Sequence, residues 1–429
     1  MNYSEALEFL FSQFPSYHKI GKAAYRNDLK NIILLDNYFK NPHHRFRTIH
    51  VAGTNGKGSV SHMIASVLQE AGYKTGLFTS PHLKDFRERI RVNGEMIPEA
   101  NVVTFVTNHN KIIKEVNPSF FEMTVAMAFN YFAVCKVDVA VIEVGLGGRL
   151  DSTNIITPVL SVITNIGHDH MDLLGDTLEK IAFEKAGIIK ENIPVVISET
   201  QPETENVFLR KAGDLNAPIY FADKIFSCEL SKSKIINTER KFLITELSTG
   251  NEFEGITALS GNYQAKNLIA VFSAINLLKK VFNITKENIS DGIRKVILNT
   301  GLAGRWQILS KSPLTICDTG HNKEGLEYVI GQLENIPKSA LHMVIGFVND
   351  KDLRSVLPLF PKDALYYFTK ASLPRALDES ILKSEATKYG LKGESFTDVR
   401  SALNAARNAA KPTDLIFVGG STFVVAEVI

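Results

Sequence analysis

The sequence is short of cysteine, of net charge and of long hydrophobic runs, and each shortage excludes a class of protein. Its 429 residues include three cysteines, at positions 135, 228 and 317, with the spacing of neither a metal site nor a disulfide framework. A formal net charge of +2 argues against a large nucleic-acid-binding surface. No run approaches the roughly 20 apolar residues that span a membrane. We therefore expect buried, reduced thiols in a protein that binds neither nucleic acid nor a membrane.

The beginning of the chain shows no targeting pattern. The first 14 residues, MNYSEALEFLFSQF, lack the basic start and the uninterrupted apolar stretch of a signal peptide, and they predict an amphipathic helix. We expect residues 1–45 to be helical until Asn41 and Pro42 break the pattern. A cytoplasmic location follows as an expectation, because ATP and magnesium are available there.

The most informative stretch is VAGTNGKGSV, residues 51–60, between a strand-like apolar run and an amphipathic, helix-like run. Its glycines let the backbone turn tightly and point N–H groups at an anion, while the start of the helix adds partial positive charge. Lys57 supplies a full charge and Ser59 a hydroxyl, the groups that hold a nucleotide triphosphate with its magnesium. Gly58 separates these two residues, so the spacing differs from that of the common phosphate loop. The alternative is a glycine-rich turn without a ligand, but a lysine framed by glycines has little packing purpose.

Apolar, strand-like runs alternate with helical stretches, which predicts parallel sheets with helices on both sides. The run Asp138–Val144, DVAVIEV, is typical of a strand buried on both faces. From residue 201 to residue 256 the pattern turns polar and alternating, which predicts small antiparallel strands. We therefore expect an α/β fold, with a phosphate-loop-type, mostly parallel sheet and a small β subregion in an N-terminal domain. A smaller, Rossmann-like α/β domain would follow at the C-terminus.

A glycine-containing segment, Leu298–Gly304, divides the chain. A length of 429 residues exceeds the size at which one hydrophobic core stops growing, so two domains are expected. We place the first domain at residues 1–298, a linker at 299–303 and the second domain at 304–429. The further strand predictions are Thr75–Thr79, Val159–Ile166, Ile193–Ser198, Leu314–Cys317, His342–Phe347, Leu365–Thr369 and Leu415–Val418.

Two local signals predict a turn and a helix start. The pair Asn93-Gly94 lies between two short apolar runs and predicts a β-hairpin. Asp176 and Glu179 have the spacing of a capping box, so we expect a helix to begin there and Gly187 to help end it.

Polar side chains stand where predicted strands end, and open α/β sheets bind ligands beyond the carboxyl ends of their strands. Ser80, Glu143 and His170 occupy such positions in the first domain. A carboxylate inside a buried strand is costly unless it is paired or holds a cation, so Glu143 favours magnesium. A salt bridge from Glu143 to Arg149 is the alternative, and His170 equally fits a loop histidine with one hydrogen bond. By pattern alone, Lys185 is a solvated helix charge.

The second domain offers candidates at the end of its first strand and just after the linker. The strand ends in CDTGHN, which places an acid, Asp318, and an imidazole, His321, around a glycine turn. Arg305 follows the linker, and an arginine that reaches phosphate would stabilise charge during transfer. The alternatives are a structural turn and a linker cation.

Taken together, these residues resemble the Mur ligase superfamily, specifically folylpolyglutamate synthase and the bifunctional dihydrofolate synthase/folylpolyglutamate synthase. The similarity covers nearly the whole chain, although residues 201–256 contribute little to it. The family's motifs occur in the family's order: HVAGTNGKGSV, TSPHL with FRERI, FFEMT, EVGLGGRLDSTN, HDH with EKAGIIK, AGRWQ and DTGHN.

The resemblance implies an ATP-dependent amide ligase. In that reaction ATP phosphorylates a carboxylate of dihydropteroate or a reduced folate, and the amine of L-glutamate then attacks the acyl phosphate. Phosphoryl transfer between two anions needs cations and positioning more than a protein nucleophile. Accordingly, we find no Ser-His-Asp or reactive-cysteine arrangement in the sequence. We expect ATP and Mg²⁺ as cofactors and a monomer as the acting form.

The resemblance also implies roles for individual residues. Those implied to hold the phosphates are Asn55, Gly56, Lys57, Gly58 and Ser59. Those implied to contact ATP elsewhere are Asn267, Arg305 and Asp318, and those implied to ligate magnesium are Ser80, Glu143 and His170. The residues aligned with contacts to the pterin substrate are Ser119, Leu150, Asp151 and Ser152. The implied catalytic residues are Lys57, Lys185 and His321, with Lys185 carbamylated so that a cation becomes an anion.

The sequence departs from the family pattern at two places. The usual DGAHNP is DTGHNK at residues 318–323, and the frequent His-Gln before the adenine-site asparagine is Tyr263-Gln264. Neither departure removes a phosphate or metal group. The alternative enzyme is a Mur-type ligase for peptidoglycan precursors, which would share the phosphate site but not TSPHL or LDSTN. A nucleotide-binding switch or a transport ATPase is a further alternative, and the sequence lacks the features expected of either.

Overall fold

A computed structural model describes residues 1–13, 28–231 and 239–429. These residues form two compact units. The first unit comprises residues 1–13, 28–231, 241–258 and 264–302, and the second comprises residues 239–240, 259–263 and 303–429. Residues 14–27, on which part of the predicted N-terminal helical region falls, lie outside the described residues.

The first unit is built on an eight-stranded sheet with the order β4-β3-β2-β5-β1-β6-β7-β8. Six of these strands run parallel, and the β3–β4 hairpin extends the sheet in antiparallel fashion beyond β2. The strands are β1 Arg47–Ala52, β2 Thr75–Phe78, β3 Ile90–Val92, β4 Glu95–Met96, β5 Val139–Glu143, β6 Leu160–Ile163, β7 Val195–Ile197 and β8 Ile219–Phe221. The mostly parallel sheet and the hairpin at Asn93-Gly94 are thus confirmed.

Helices cover this sheet, so that four of its eight strands, β2, β5, β6 and β7, are buried along their whole length. All five residues of β5 are buried, as the apolar run predicted. The helices of the unit in the described residues are α1 Tyr3–Gln13, α2 Lys30–Tyr38, α3 Lys57–Glu70, α4 Glu99–Val116, α5 Phe120–Cys135, α6 Met171–Leu174, α7 Leu178–Ala186, α8 Pro202–Asp214, α9 Ala222–Ile225, α10 Gln264–Leu278, α11 Lys286–Arg294 and α12 Val296–Thr300. Ala140 and Ile142 of β5 pack in one apolar cluster with Phe129 of α5, and Ile163 of β6 packs in another with Ile181 of α7.

The prediction for residues 201–256 is partly wrong. The parallel series continues through α8 and β8, and β8 pairs parallel with β7. Helix α8 was not predicted because its sequence is mostly polar. Only one narrow side of the helix, which includes Phe208 and Ala212, is buried. A small sheet with the order β11-β10-β9 follows, with β9 Phe226–Leu230, β10 Arg240–Glu246 and β11 Glu252–Thr257.

The predicted capping box at Asp176 and Glu179 is wrong, because the N-cap of α7 is the next residue, Thr177, and no reciprocal bond is formed there. The residue that begins α7 is Thr177, whose hydroxyl accepts a hydrogen bond from the Lys180 backbone N–H. Asp176 instead accepts a hydrogen bond from the Lys180 ammonium at 2.7 Å. Gly187 follows the last residue of α7, as predicted.

The second unit contains a six-stranded sheet with the order β12-β13-β17-β14-β15-β16. Its strands are β12 Gln307–Lys311, β13 Leu314–Cys317, β14 Leu341–Ile345, β15 Leu365–Thr369, β16 Lys392–Phe396 and β17 Leu415–Gly419. The described helices are α13 Lys323–Glu334, α14 Leu353–Val356, α15 Glu379–Thr387, α16 Val399–Ala409 and α17 Thr422–Ala426. The four predicted strands are confirmed. The two edge strands, β12 and β16, escaped prediction because they are only partly buried.

Within the residues described, no helix is both long enough and apolar enough to cross a membrane.

Candidate active site

The phosphate loop joins β1 to α3, and its shape depends on two glycines. Gly53 and Gly56 have φ angles of +143° and +89°, which side chains rarely allow. A methyl carbon on Gly53 would lie 1.8 Å from Oγ1 of Thr164, and one on Gly56 would lie 2.3 Å from Oδ1 of Asn267. Glycine is therefore required at both positions by conformation and by space.

Helix α10 packs against this loop with its amide side chains. Nε2 of Gln264 donates to Oγ of Ser59 at 3.2 Å, and Nδ2 of Asn267 donates to Oε1 of Gln264 at 2.8 Å. All three side chains are buried. The structure therefore brings Asn267 to Gly56 and Ser59, about 200 residues earlier in the chain. Gln264 was noted in the sequence only as part of a departure from the family motif.

Two lysines converge on one carbonyl oxygen of the loop. Nζ of Lys57 donates to the carbonyls of Gly53 and Thr54 at 2.9 and 3.0 Å, and Nζ of Lys185 donates to the Gly53 carbonyl at 2.8 Å. Lys185 is 4% exposed, so the pattern-based expectation of a solvated charge is wrong. Burial, and then the charge of Lys57, lowers the pKa of Lys185 to about 7. Near neutral pH about half of this amine is therefore uncharged and nucleophilic.

Glu143 stands at the end of β5 beside Ser80, as the sequence predicted for both. The Ser80 backbone N–H donates to Oε2 of Glu143 at 3.2 Å, and Glu143 is 4% exposed. Its charge, together with that of Glu88, favours the charged form of the fully buried Arg89, whose pKa burial lowers to about 10. Arg149, the alternative partner of Glu143, places its guanidinium 2.8 Å from Oε1 of Glu184.

His170 follows β6 in a left-handed conformation, with φ at +53°, at the start of the short helix α6. Its side chain is 34% exposed, and Nε2 lies 3.9 Å from Oδ2 of Asp169. Across residues 1–13, 28–231 and 239–429, no three His, Cys, Asp or Glu side chains gather into a metal site. Of the three predicted ligands, only Glu143 and His170 belong to those four residue types. The oxygen atoms of Ser80 and Glu143 suit magnesium, which takes few protein ligands and completes its shell with water and phosphate.

The loop after β5 contains the predicted pterin contacts Leu150, Asp151 and Ser152. The Asp151 carboxylate is buried and accepts hydrogen bonds from the backbone N–H of Leu146 at 2.8 Å and of Thr153 at 3.0 Å. The hydroxyl of Thr153 donates to the same carboxylate at 2.5 Å. Burial raises the pKa of Asp151, and these hydrogen bonds oppose that effect. The side chain of Asp151 is thus directed into the loop.

Ser119 begins α5 in a reciprocal capping arrangement. Its hydroxyl accepts from the Glu122 backbone N–H at 3.2 Å, and the Glu122 carboxylate accepts from the Ser119 backbone N–H at 2.6 Å. Both residues are buried. The capping role explains the Ser and Glu spacing without any ligand.

In the second unit, the buried carboxylate of Asp318 organises the turn after β13. It accepts from the backbone N–H of Trp306 and of Gly320, both at 2.7 Å, and from the hydroxyl of Tyr263 at 2.6 Å. In the sequence, Tyr263 is marked only by its replacement of the family's histidine, and nothing there indicates its contact with Asp318. The structure brings it to the predicted nucleotide residue.

Arg305 and His321 lie on the same turn. The Arg305 guanidinium donates to the hydroxyl of Thr319, and Nδ1 of His321 donates to the Thr319 carbonyl at 2.9 Å. Because a carbonyl only accepts, Nδ1 of His321 carries a proton. The predicted candidates of the second unit thus share one short segment.

Two domain families match this chain. Residues 51–275 match the Mur ligase middle domain, and residues 304–422 match the Mur ligase, glutamate ligase domain. The first match includes the phosphate loop, and the second includes Asp318 and its turn.

Individual relatives agree with this assignment. The folylpolyglutamate synthase of Lacticaseibacillus casei is 34% identical over 100% of this chain and 98% of its own length. A probable bifunctional folylpolyglutamate synthase/dihydropteroate synthase of Haloferax volcanii is also 34% identical, and this chain spans 50% of its length. The solved structure of E. coli FolC in complex with DHPP and ADP has a TM-score of 0.85 and 28% identity, covering 100% of this chain and 97% of that one. This chain has a glycine-dependent phosphate loop and is similar to these relatives along its full length. It therefore belongs to the folylpolyglutamate synthase/dihydrofolate synthase family of Mur ligases.

Proposed function

We propose that the chain is an ATP-dependent ligase that joins L-glutamate to dihydropteroate, to a reduced folate or to both. The observation that carries this proposal is the phosphate loop at residues 53–59, where the glycine backbone and Lys57 form a cationic cradle. The complex of the related E. coli enzyme with DHPP and ADP supports the same pairing of ligands. We further propose that the protein acts as a cytoplasmic monomer with domains at 1–298 and 304–429.

The chemistry begins with the activation of a carboxylate, because its oxygen is a poor leaving group. Transfer of the γ-phosphoryl group from ATP to the pterin substrate's carboxylate gives an acyl phosphate and ADP. The amine of L-glutamate then attacks the acyl carbon, the C–O bond to phosphate breaks, and inorganic phosphate leaves as the amide forms. No covalent enzyme intermediate is needed, so the residues contribute charge and position.

The phosphate loop would hold the β- and γ-phosphates through its backbone N–H groups and the start of α3. Asn55, Gly56, Lys57, Gly58 and Ser59 form this segment. Lys57 would release its carbonyl contacts with Gly53 and Thr54 to neutralise the phosphates. Its flexible stem permits this change, since ammonium groups make non-directional contacts.

Magnesium would be held by Ser80, Glu143 and His170 together with phosphate oxygens and water. When bound, this ion supplies charge neutralisation at the transferring phosphoryl group. Glu143 is suited to that role because it is buried near Arg89, whose charged form it favours, and the Ser80 backbone N–H fixes its carboxylate.

Lys185 would be carbamylated in the active protein. A neutral amine can attack CO₂, and the pKa of Lys185 near 7 makes this form abundant at neutral pH. The carbamate would carry a negative charge where the free lysine lies against Lys57, so it would relieve the repulsion between two cations. This anion could then assist a second metal ion.

The other residues named in the sequence are assigned to the nucleotide and to the pterin substrate. We assign Asn267, Arg305 and Asp318 to ATP, and His321 to the phosphates. We assign Ser119 and the segment 150–152 to the pterin substrate. Because the Asp151 carboxylate is engaged inside its loop, the segment would contact that substrate through its backbone and Ser152.

The decisive experiment measures ADP release and amide product while each substrate is omitted in turn. We expect ADP formation to require the pterin or folate substrate, and amide formation to require L-glutamate as well. Hydrolysis of ATP without amide product under all conditions would contradict the ligase assignment. Assaying dihydropteroate and tetrahydrofolate side by side with labelled glutamate distinguishes the two activities, and UDP-linked muramyl substrates test the peptidoglycan alternative.

The metal assignment is tested by Glu143→Gln. We expect turnover to fall by about 10²-fold or more while thermal stability changes little, because the amide keeps the shape but loses the charge. Glu184→Gln is the matched control, since it makes the same change in a carboxylate that pairs with Arg149 and is not among the predicted metal ligands. Near-normal turnover of Glu143→Gln would remove Glu143 from the metal site.

A further inference from the structure

A histidine lies buried under the loop that the pterin substrate is proposed to contact. His50 belongs to β1, between Ile142 of β5 and Ser161 of β6, and none of its surface is exposed. Its Nε2 lies 2.9 Å from Oγ1 of Thr153, which lies 2.5 Å from Oδ1 of Asp151. These three side chains form a buried line from the central strand to the loop.

The hydrogen bonds of this line can run in one direction only. Asp151 already accepts from two backbone N–H groups, so its carboxylate acts as the acceptor. The single hydroxyl proton of Thr153 therefore points to Asp151, and the Thr153 oxygen must accept from His50. His50 accordingly carries its proton on Nε2. Burial, helped by the charge of Lys190, lowers its pKa to about 3 and keeps it neutral.

An apolar side chain would fill the position of His50 without leaving a buried polar atom unsatisfied. Nδ1 of His50 is buried and has no hydrogen-bond partner in the part of the chain that the structure describes. A polar group left unsatisfied in this way reduces stability, so a histidine that only filled space would be a poor choice. Its neighbours in the strand, Ile49 and Val51, are both apolar and equally buried.

The line ends on the carboxylate that closes the loop. Asp151 ties Leu146 at one end of the loop to Thr153 at the other. On the outside, the Arg149 backbone N–H donates to the Glu184 carbonyl at 2.7 Å. The segment 150–152 is thus held by α7 on one side and, through Thr153, by His50 on the other.

We propose that His50 is a positioning residue that sets the place of residues 150–152 and thereby the affinity for the pterin substrate. The inference rests on the proposed function, because the substrate contact at 150–152 belongs to it. His50 does not touch the substrate and acts through Thr153 and Asp151. Its loss should therefore weaken binding of the pterin substrate more than binding of ATP, because the line of side chains runs to Thr153 and Asp151 rather than to the phosphate loop.

The test compares His50→Gln with His50→Asn and His50→Leu. The Gln side chain places an N–H donor near the position of Nε2, whereas Asn is too short and Leu has no donor. We expect the KM for dihydropteroate or folate to rise about five- to tenfold in the Asn and Leu variants, as for one lost hydrogen bond, with KM for ATP within about twofold of wild type. Gln should restore most of the affinity.

A second pair of variants keeps the test independent of any folding defect at position 50. Thr153→Val removes the hydroxyl and should reproduce the rise in KM, whereas Thr153→Ser keeps the hydroxyl and should not. The double variant of His50→Leu with Thr153→Val should be no worse than the poorer single variant, because both break one line. Equal rises in KM for ATP and for the pterin substrate, or a Gln variant as poor as Leu at equal thermal stability, would overturn the proposal.

A measurement without catalysis separates this proposal from the function on which it rests. In protein labelled with ¹⁵N-histidine, the signals absent from His50→Gln belong to His50, and we expect a protonated Nε2 and an unprotonated Nδ1. We also expect the Leu146 amide to exchange faster in Thr153→Val. If the wild-type protein forms no amide product, the proposed function fails, whereas the opposite tautomer in active wild-type protein contradicts the line alone.

Discussion

The phosphate loop and the loop at residues 145–155 follow two adjacent parallel strands, β1 and β5, yet they hold their shapes by different means. The phosphate loop is shaped by backbone conformation, with Gly53 and Gly56 at positive φ and no room for a side chain. The 145–155 loop is shaped by buried side chains, chiefly Asp151 and Asn154. Backbone conformation, set by glycine, is enough to shape a loop for a phosphate group, which has the same shape in every nucleotide. A loop proposed to fit one particular substrate also needs polar side chains held in fixed positions.

Gly56→Ala should have the largest effect on the first of these loops. The added methyl carbon meets Oδ1 of Asn267, and the φ of +89° is strained for alanine, so we expect kcat/KM for ATP to fall about 10²-fold or more. Gly72→Ala is the matched control, because Gly72 has a similar φ of +83° with nothing within 4 Å of the new carbon. Both variants should lose about 1 kcal/mol of stability from backbone strain, measured by thermal unfolding. If Gly56→Ala kept its activity, the loop would not depend on glycine as described.

Lys185 links the two loops, since it donates to Gly53 and belongs to α7, which holds Arg149. Its lowered pKa means that the amine is charged below about pH 7 and neutral above it. We therefore expect bicarbonate to restore activity to CO₂-depleted enzyme better at high pH. The neutral fraction rises about tenfold between pH 6 and pH 8 for a pKa near 7.

Carbon-13 NMR with labelled bicarbonate measures the carbamate directly. Lys185→Met should lose the signal, and Lys190→Met should keep it, because Nζ of Lys190 donates to the Asn154 carbonyl at 2.9 Å. A signal that persisted in Lys185→Met, or that grew toward acid pH, would contradict the assignment.

Of the changes at Gly56, Lys185 and Asn154, Asn154→Ala should have the smallest effect. It alters the loop at residues 145–155. Nδ2 of Asn154 donates to the carbonyls of Arg149 and Gly187 at 3.1 and 3.0 Å, so truncation leaves two carbonyls without that donor. We expect a loss of about 1–3 kcal/mol in the free energy of unfolding and a few-fold rise in KM for the pterin substrate. Arg149→Gln is the control, because its exposed ion pair with Glu184 should contribute less than about 1 kcal/mol. Equal losses of unfolding free energy in both variants would contradict this prediction. They would mean that the exposed ion pair stabilises the loop as much as the hydrogen bonds of Asn154 do.

The fold was largely predictable where local pattern and tertiary environment agree. The run DVAVIEV predicted β5 because a strand covered on both faces must be apolar throughout. Helix α8 was missed because Pro202–Asp214 is mostly polar, and its few buried residues gave too weak a periodicity. Strand β8 was misassigned for a related reason, since an edge strand is only partly buried and its sequence does not distinguish parallel from antiparallel pairing.

The candidate site divides in the same way. The phosphate loop, Glu143 and the acid of β13 stand at strand ends, so their positions follow from the order of strands in the chain. Gln264 and Tyr263 were missed, because nothing in their local sequence indicates contact with Ser59 or Asp318.

By itself, the sequence determined the alternation of strands and helices, the glycine turn for phosphate and the polar groups at strand ends. These depend on residues close together in the chain, whose backbone preferences and burial patterns act locally. Only the tertiary structure decided the charge of Lys185, whose partner carbonyl lies 132 residues away, and the tautomer of His50, whose partner lies 103 residues away. Desolvation and hydrogen-bond direction depend on what surrounds a group in space, and that environment exists only once the chain has folded.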